Sequence, residues 1–287
     1  MNRLPLRRAI GPIPPQLPPS ATGGTAFTNR GPITGKTYTG HYWTPDSYTS
    51  SGKRYPICLA LHGKGASSST TMTNVLPRLK AAITSAAIRE CILVAPSIAA
   101  LWYANSFNNG TPVETQIVKE LIPYFEDATR WNGQRVITGF SMGCFGASRL
   151  MVKYPDLFRA LVGMGGPNMD ADANNNWGAG DAADFAAVWN SSSTLLRPDS
   201  PFASVGGNGL YQNYVTAITS RNMRLRFAKS AADAVTLASM DAFDAALSAL
   251  GITHTYTDLT TPGHNMGQYY TADGDACWAF LETGLAA

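Results

Sequence analysis

The stretch Arg135-Val136-Ile137-Thr138-Gly139-Phe140-Ser141-Met142-Gly143-Cys144-Phe145-Gly146-Ala147-Ser148-Arg149-Leu150 decides how the rest of the chain is read. It opens as a short β-type run and closes as a small-residue helix start, with G-x-S-x-G between them. In that setting the motif marks a nucleophilic serine held on a strained strand-to-helix turn. A serine forced to positive φ leaves almost no room for side chains two residues to either side, and glycine places only hydrogens there. The competing reading is a Gly-rich connection whose serine merely caps the helix.

Outward from this turn, β-type and helix-type runs alternate from Lys36 onward. Thr37–Trp43, Tyr55–Leu61 and Cys91–Ala95 read as strands. A helix near Met72–Arg89 is interrupted or started by Pro77. Thr115–Thr129 is helical, with Ile117, Leu121, Ile122 and Phe125 at helix spacing. After the serine turn come strand Arg159–Met164, strand Met223–Ala228, a helix near Met240–Leu250, strand His254–Leu259 and a last helix near Ala276–Leu281. Apolar strand runs separated by helices imply an α/β fold with a mostly parallel sheet covered on both faces. Residues 167 to about 222 break the rhythm. They are polar and turn-rich over Asn168–Trp177, then apolar at Phe185–Trp189, and read as an insertion above the sheet's carboxyl edge, either a lid or pocket wall or an ordinary long loop. Residues 1–35, with Pro12, Pro14, Pro15, Pro18 and Pro19, read as an extended arm that serves as linker, wrapping strand or attachment to a partner. Residues 36–287 form the main domain.

A chain of 287 residues suits one large α/β domain or two small ones. Its 45% hydrophobic and 14% charged content describes a globular protein with a sizeable core. The 22 Lys+Arg against 19 Asp+Glu leave +3, part of it from Arg3, Arg7 and Arg8, so neither a nucleic-acid groove nor a membrane-binding face is indicated. Polyanionic substrates are not expected either. Cys58, Cys91, Cys144 and Cys277 form no CxxC or Cys/His cluster, which argues against zinc, and no other metal or cofactor is called for. They read as buried free thiols, with a Cys58–Cys91 bridge open if their strands are neighbours. Met1–Ile10 lacks the apolar stretch of a secretory signal, and nothing reaches the ~18 apolar residues of a membrane span. The expectation is a soluble protein, cytoplasmic or otherwise.

A serine hydroxyl needs a base. Partners of a serine on such a turn follow it in the order acid, then histidine. His41 and His62 therefore come too early. His254 lies within the run Ile252–Tyr256, where a structural role is the ordinary one. His264, in Thr261-Pro262-Gly263-His264-Asn265-Met266-Gly267, follows the last strand, where an imidazole can reach over the sheet edge. The carboxylate that orients the imidazole is expected at Asp233, a few residues beyond a strand, with Asp241 in reserve. Asp241 and Asp244 fall on the next helix. The negative charge that develops on an attacked carbonyl oxygen requires two backbone N–H groups. These are expected from Met142, after the serine, and from Lys64 in the loop Leu61-His62-Gly63-Lys64-Gly65-Ala66.

With these residues in place the chain resembles the esterase D-type branch of the α/β-hydrolases, a group that includes feruloyl and acetyl-xylan esterases, S-formylglutathione hydrolase and mycolyltransferases. The likeness runs from about residue 37 to 285. It is carried by Tyr42-Trp43-Thr44-Pro45-Asp46-Ser47-Tyr48, Lys53-Arg54-Tyr55-Pro56, Leu61-His62-Gly63, Leu101-Trp102-Tyr103 with Ser106, and Glu120-Leu121-Ile122-Pro123-Tyr124. Gly139–Gly143, Tyr154-Pro155-Asp156-Leu157-Phe158-Arg159-Ala160 and Pro262-Gly263-His264 complete it. The resemblance implies an α/β-hydrolase fold, Ser141, Asp233 and His264 as triad, and the amides of Lys64 and Met142 as oxyanion donors. Cys144 replaces a usual glycine, Lys-Ser-Ala-Ala-Asp precedes the acid without the usual glycine, and Asn265, Tyr269 and Tyr270 stand where the family has a glycine and tryptophans. The resemblance offers no counterpart that can be placed for the arm or the insertion.

The function so implied is a serine esterase that hydrolyses a small or carbohydrate-linked ester through an acyl-enzyme and needs no cofactor. Trp102, Tyr103 and Trp177 are candidate pocket walls. Acyl transfer and polyester depolymerisation use the same triad. A rival of another class is a non-catalytic module that kept the fold, with the arm contacting its partner.

Overall fold

Along the strand Tyr55–Leu61 every residue is buried, yet alternate side chains serve different cores. Ile57, Leu59 and Leu61 join one apolar cluster, while Cys58 and Ala60 join the other. The same division separates Ile92 and Val94 from Leu93 and Ala95. Successive side chains of a strand point to opposite faces, so a strand buried on both sides reads as a continuous apolar run.

The computed structural model describes residues 17, 23–99, 101–172 and 181–286. Eight strands form one sheet: β1 (Thr25–Arg30), β2 (Thr37–Trp43), β3 (Tyr55–Leu61), β4 (Ile92–Ser97), β5 (Trp131–Phe140), β6 (Ala160–Met164), β7 (Arg224–Ser230) and β8 (Thr255–Leu259). Their spatial order is β1-β2-β4-β3-β5-β6-β7-β8. β1 pairs with β2, and β2 with β4, antiparallel; the remaining neighbours are parallel. Helix α1 (Ser68–Thr84) follows β3. Helices α2 (Val113–Gln116) and α3 (Ile122–Ala128), joined by a π-helical turn, precede β5. Helix α4 (Met142–Lys153) leaves β5, and α5 (Ala182–Trp189), α6 (Ser193–Leu196), α7 (Leu210–Asn213) and α8 (Val215–Ser220) lie between β6 and β7. Helix α9 (Leu237–Ala249) joins β7 to β8, and α10 (Met266–Asp273) and α11 (Asp275–Leu285) follow.

Three details differ from the sequence reading. Thr25–Arg30, assigned to the arm, is the outer strand of the sheet, where Phe27 is buried and stacks edge-on against Phe125. Helix α1 starts before Met72, capped by Ser67 Oγ, which accepts from the Thr70 amide, and runs through Pro77. Helix α10 follows His264 directly where no helix was expected, its Gln268 amide met by the Asn265 side chain. All four cysteines are free and buried, so Cys58 and Cys91 do not pair. Among the described residues no helix is long and apolar enough to cross a membrane, and no cluster of metal-ligating side chains occurs.

Candidate active site

Ser141 stands between the end of β5 and the first residue of α4, with φ 57° and ψ −123°. A non-glycine residue there is strained, and its neighbours must hold it. The Ser141 amide donates to Met164 O on β6 at 2.9 Å, and Ser141 O accepts from the Cys144 amide at 2.8 Å. A Cβ on Gly139 would overlap the Gly143 carbonyl, and one on Gly143 would overlap the Leu61 carbonyl on β3. The two glycines therefore let the turn close against itself and against the neighbouring strand. The Ser141 hydroxyl makes no capping bond to α4, so the helix-cap reading of the motif fails.

The hydroxyl instead donates to His264 Nε2 at 2.9 Å. His264 lies beyond the carboxyl end of β8, its ring tilted on Phe140 at 4.9 Å between centroids. Its Nδ1 lies 2.9 Å from Asp233 Oδ2, which assigns the proton to Nδ1 and leaves Nε2 to accept from serine. Asp233, three residues past β7, is buried. Its Oδ2 also accepts from Thr236 Oγ1 at 2.7 Å and Tyr269 Oη at 2.9 Å, and its Oδ1 accepts from the Val235 amide at 3.1 Å. Burial alone would push this carboxyl's pKa up. The hydrogen bonds from His264, Thr236 and Tyr269 outweigh that and hold it below the ordinary carboxylate value.

The other histidines and acids are engaged elsewhere. His254 bridges Asp244 and the Ile252 carbonyl, His41 bonds Ser68, and Asp241 pairs with Lys229. His62 is buried, which lowers its pKa. Its Nδ1–H donates to Gly63 O at 2.8 Å, while Nε2 accepts from the Ile98 amide at 3.1 Å.

Gly63 runs directly beside the serine, since a Cβ added to it would lie 3.2 Å from Ser141 Cβ. Lys64 is next along this loop, and its Nζ reaches Asp181 and Asp184 of the insertion at 2.6 Å each. Met142 is the first residue of α4, where a helix does not satisfy its own amides. Trp102 and Tyr103, expected as pocket walls, are buried at 1% and 0% exposure, with their polar atoms turned to Asp184 and the His62 carbonyl. Trp177 lies outside the described residues. Two concavities of about 490 and 150 Å³ lie beside β2, and neither is lined by Ser141, Asp233 or His264. Chemistry rather than volume marks this site.

Sequence reasoning missed Tyr269, Thr236 and the ring of His62. Tyr269 lies on α10 and Thr236 just before α9, and no local motif announces which way either faces. His62 precedes the serine in the chain, and its place in a βα loop is the one signal that its ring could hold that loop.

A family model described as "Putative esterase" matches residues 32–211. The chain belongs to the putative esterase family. The matched segment holds Lys64, Ser141 and Met142 and ends before Asp233 and His264. Esterase Rv1288 and Esterase MT1326, from two strains of Mycobacterium tuberculosis, are each 29% identical over 136 residues. That stretch is 43% of this chain and only 28% of theirs. A ferulic acid esterase superposes with a TM-score of 0.72 at 19% identity, over 91% of this chain and 97% of its own. The S-formylglutathione hydrolase of Agrobacterium tumefaciens gives 0.69 at 13%, over 93% and 97%. FphF, a fluorophosphonate-binding serine hydrolase of Staphylococcus aureus, gives 0.71 at 16%, over 91% and 99%. This family member has the α/β-hydrolase fold.

Proposed function

We propose that the protein is a serine carboxylic-ester hydrolase acting through an acyl-enzyme on Ser141. The observation that carries this reading is the relay from Ser141 Oγ to His264 Nε2 and from His264 Nδ1 to Asp233, each step 2.9 Å. His264 takes the serine proton as Oγ attacks the ester carbonyl, and Asp233 stabilises the imidazolium that forms. The carbonyl oxygen becomes an oxyanion facing the Met142 and Lys64 amides. His264 then returns the proton to the departing alcohol, leaving the acyl group on Ser141. Water attacks this ester in the second half-reaction with the same base, releasing the acid and restoring the serine.

The substrate proposed is a small or carbohydrate-linked ester. The contact of Lys64 with Asp181 and Asp184 supports the insertion as a wall of the same site. Labelling with a fluorophosphonate probe, with p-nitrophenyl acetate and butyrate as substrates, tests the reading. Ser141→Ala is expected to abolish labelling and lower kcat roughly 10⁴-fold or more, with His264→Ala comparably impaired. Labelling that survives Ser141→Ala places the nucleophile elsewhere, and an inert wild type points to a binding module. Product analysis with and without an acceptor alcohol separates hydrolysis from acyl transfer.

A further inference from the structure

Trp102 and Tyr103 have φ of 51° and 58°, two consecutive bulky residues in the left-handed region. The Ala104 amide donates to Leu101 O at 2.9 Å, closing a four-residue turn around them. Positive φ at both central positions is the type I′ geometry that Asn and Gly normally occupy. Aromatic residues persist there only where their surroundings over-determine them, and such strain gathers at functional sites.

The surroundings do so from three sides. Arg149 of α4 donates through Nη1 to Tyr103 O at 2.9 Å. Gly146 on the same helix carries no side chain where the Tyr103 ring lies, and a Cβ there would strike that ring. Tyr103 Oη donates to His62 O at 2.9 Å, with the two rings edge to face. His62 in turn grips Gly63 O with Nδ1–H and receives the Ile98 amide on Nε2. The next residue along the chain is Lys64.

We propose that Tyr103 is a positioning residue for the oxyanion loop. Its phenol, anchored to the nucleophile's own helix, sets the height of the His62–Gly63 backbone and so aims the Lys64 amide at the carbonyl oxygen under attack. The inference rests on the esterase reading above. It explains why a buried tyrosine occupies a turn better suited to glycine, and why the helix behind the serine has a glycine at 146. The phenol is wholly buried, which keeps it protonated and a donor.

The test is Tyr103→Phe, which keeps the ring against Gly146 and removes only the bond to His62 O. Tyr48→Phe is the control, because it deletes a buried phenol that accepts from the Arg130 amide beside the amino ends of β3 and β5, away from the serine. Complete loss of an oxyanion donor costs about 10²–10³ in kcat, so a misaimed one is expected to cost about tenfold. KM should stay within about twofold, and affinity for a trifluoromethyl ketone, whose adduct carries the oxyanion, should fall in parallel with kcat. The thermal midpoint should stay close to wild type, and Tyr48→Phe should retain full kcat. Unchanged kcat and inhibitor affinity in Tyr103→Phe would overturn the proposal. So would an activity loss that follows lost folded protein while inhibitor affinity per folded molecule holds. An inert wild type sinks the esterase reading with it; an active wild type and an unimpaired Tyr103→Phe sink this inference alone.

Discussion

Asp233 shows how one residue's environment sets its chemistry. Three donors converge on Oδ2 and a fourth meets Oδ1, so the carboxylate stays ionised although it is buried. Its pKa lies below the ordinary 3.8 in the folded protein. As pH falls the unfolded chain therefore takes up this proton first, and the folded state loses the stability the ionised group supplies. That contribution is complete above about pH 5 and disappears as pH drops through the folded value. The stability gap between wild type and Asp233→Asn should thus hold steady down to about pH 5 and narrow from there toward about pH 3, measured by urea unfolding across the range. A gap independent of pH would mean that the carboxylate is not held ionised by its donors. Residue identity here was readable from chain order, but the Tyr269 and Thr236 donors were not. They depend on how α10 and the start of α9 face the loop.

At the scale of elements, the junction of β5 and α4 is the most constrained part of the chain. Gly143 sits so close to the Leu61 carbonyl that any side chain would have to displace β3. β3 leads straight into the loop carrying His62, Gly63 and Lys64. Gly143→Ala should therefore lower stability by about 1–3 kcal/mol, and more if the strand cannot shift. It should lower p-nitrophenyl acetate turnover further than the folded fraction explains. Urea midpoints and turnover measured on the same samples check this, and activity in proportion to folded protein would refute it. The G-x-S-x-G pattern announced this junction because steric demands between near neighbours in sequence are written in those neighbours. β1 was not announced in the same way. Its run Thr25–Arg30 buries Phe27 alone, and it is a strand because β2 offers an edge.

Across the whole molecule, a buried ionic cluster ties the insertion to the helix behind the nucleophile. Arg149, with no exposed surface, meets Glu114 at 2.8 Å and also contacts Asp199. Lys153 reaches Glu114 and Asp199 at 3.0 and 2.9 Å. Trp189 Nε1 donates to Asp199 at 3.1 Å, bringing in α5. Burial penalises these charges, but their mutual attraction holds both carboxyls below their ordinary values and raises the guanidinium's. Removing one partner of such a set leaves buried charge uncompensated, which costs about 3–5 kcal/mol. Arg149→Met is expected to lose about that much in equilibrium urea unfolding. A loss below about 1 kcal/mol would mean that water replaces the guanidinium.

The sequence by itself determined the alternation of strands and helices, the strained serine, and the order in which acid and histidine follow it. These are local matters, governed by side-chain periodicity and by what fits around one backbone angle. The tertiary structure alone decided that side chains 123 and 31 positions apart lie within hydrogen-bond reach of His264. It also decided that Trp102 and Tyr103 are buried, with their polar atoms turned to Asp184 and the His62 carbonyl. Such contacts depend on which strands become neighbours and how loops stack over their carboxyl ends, and that follows from burying two cores at once, not from any stretch of neighbouring residues.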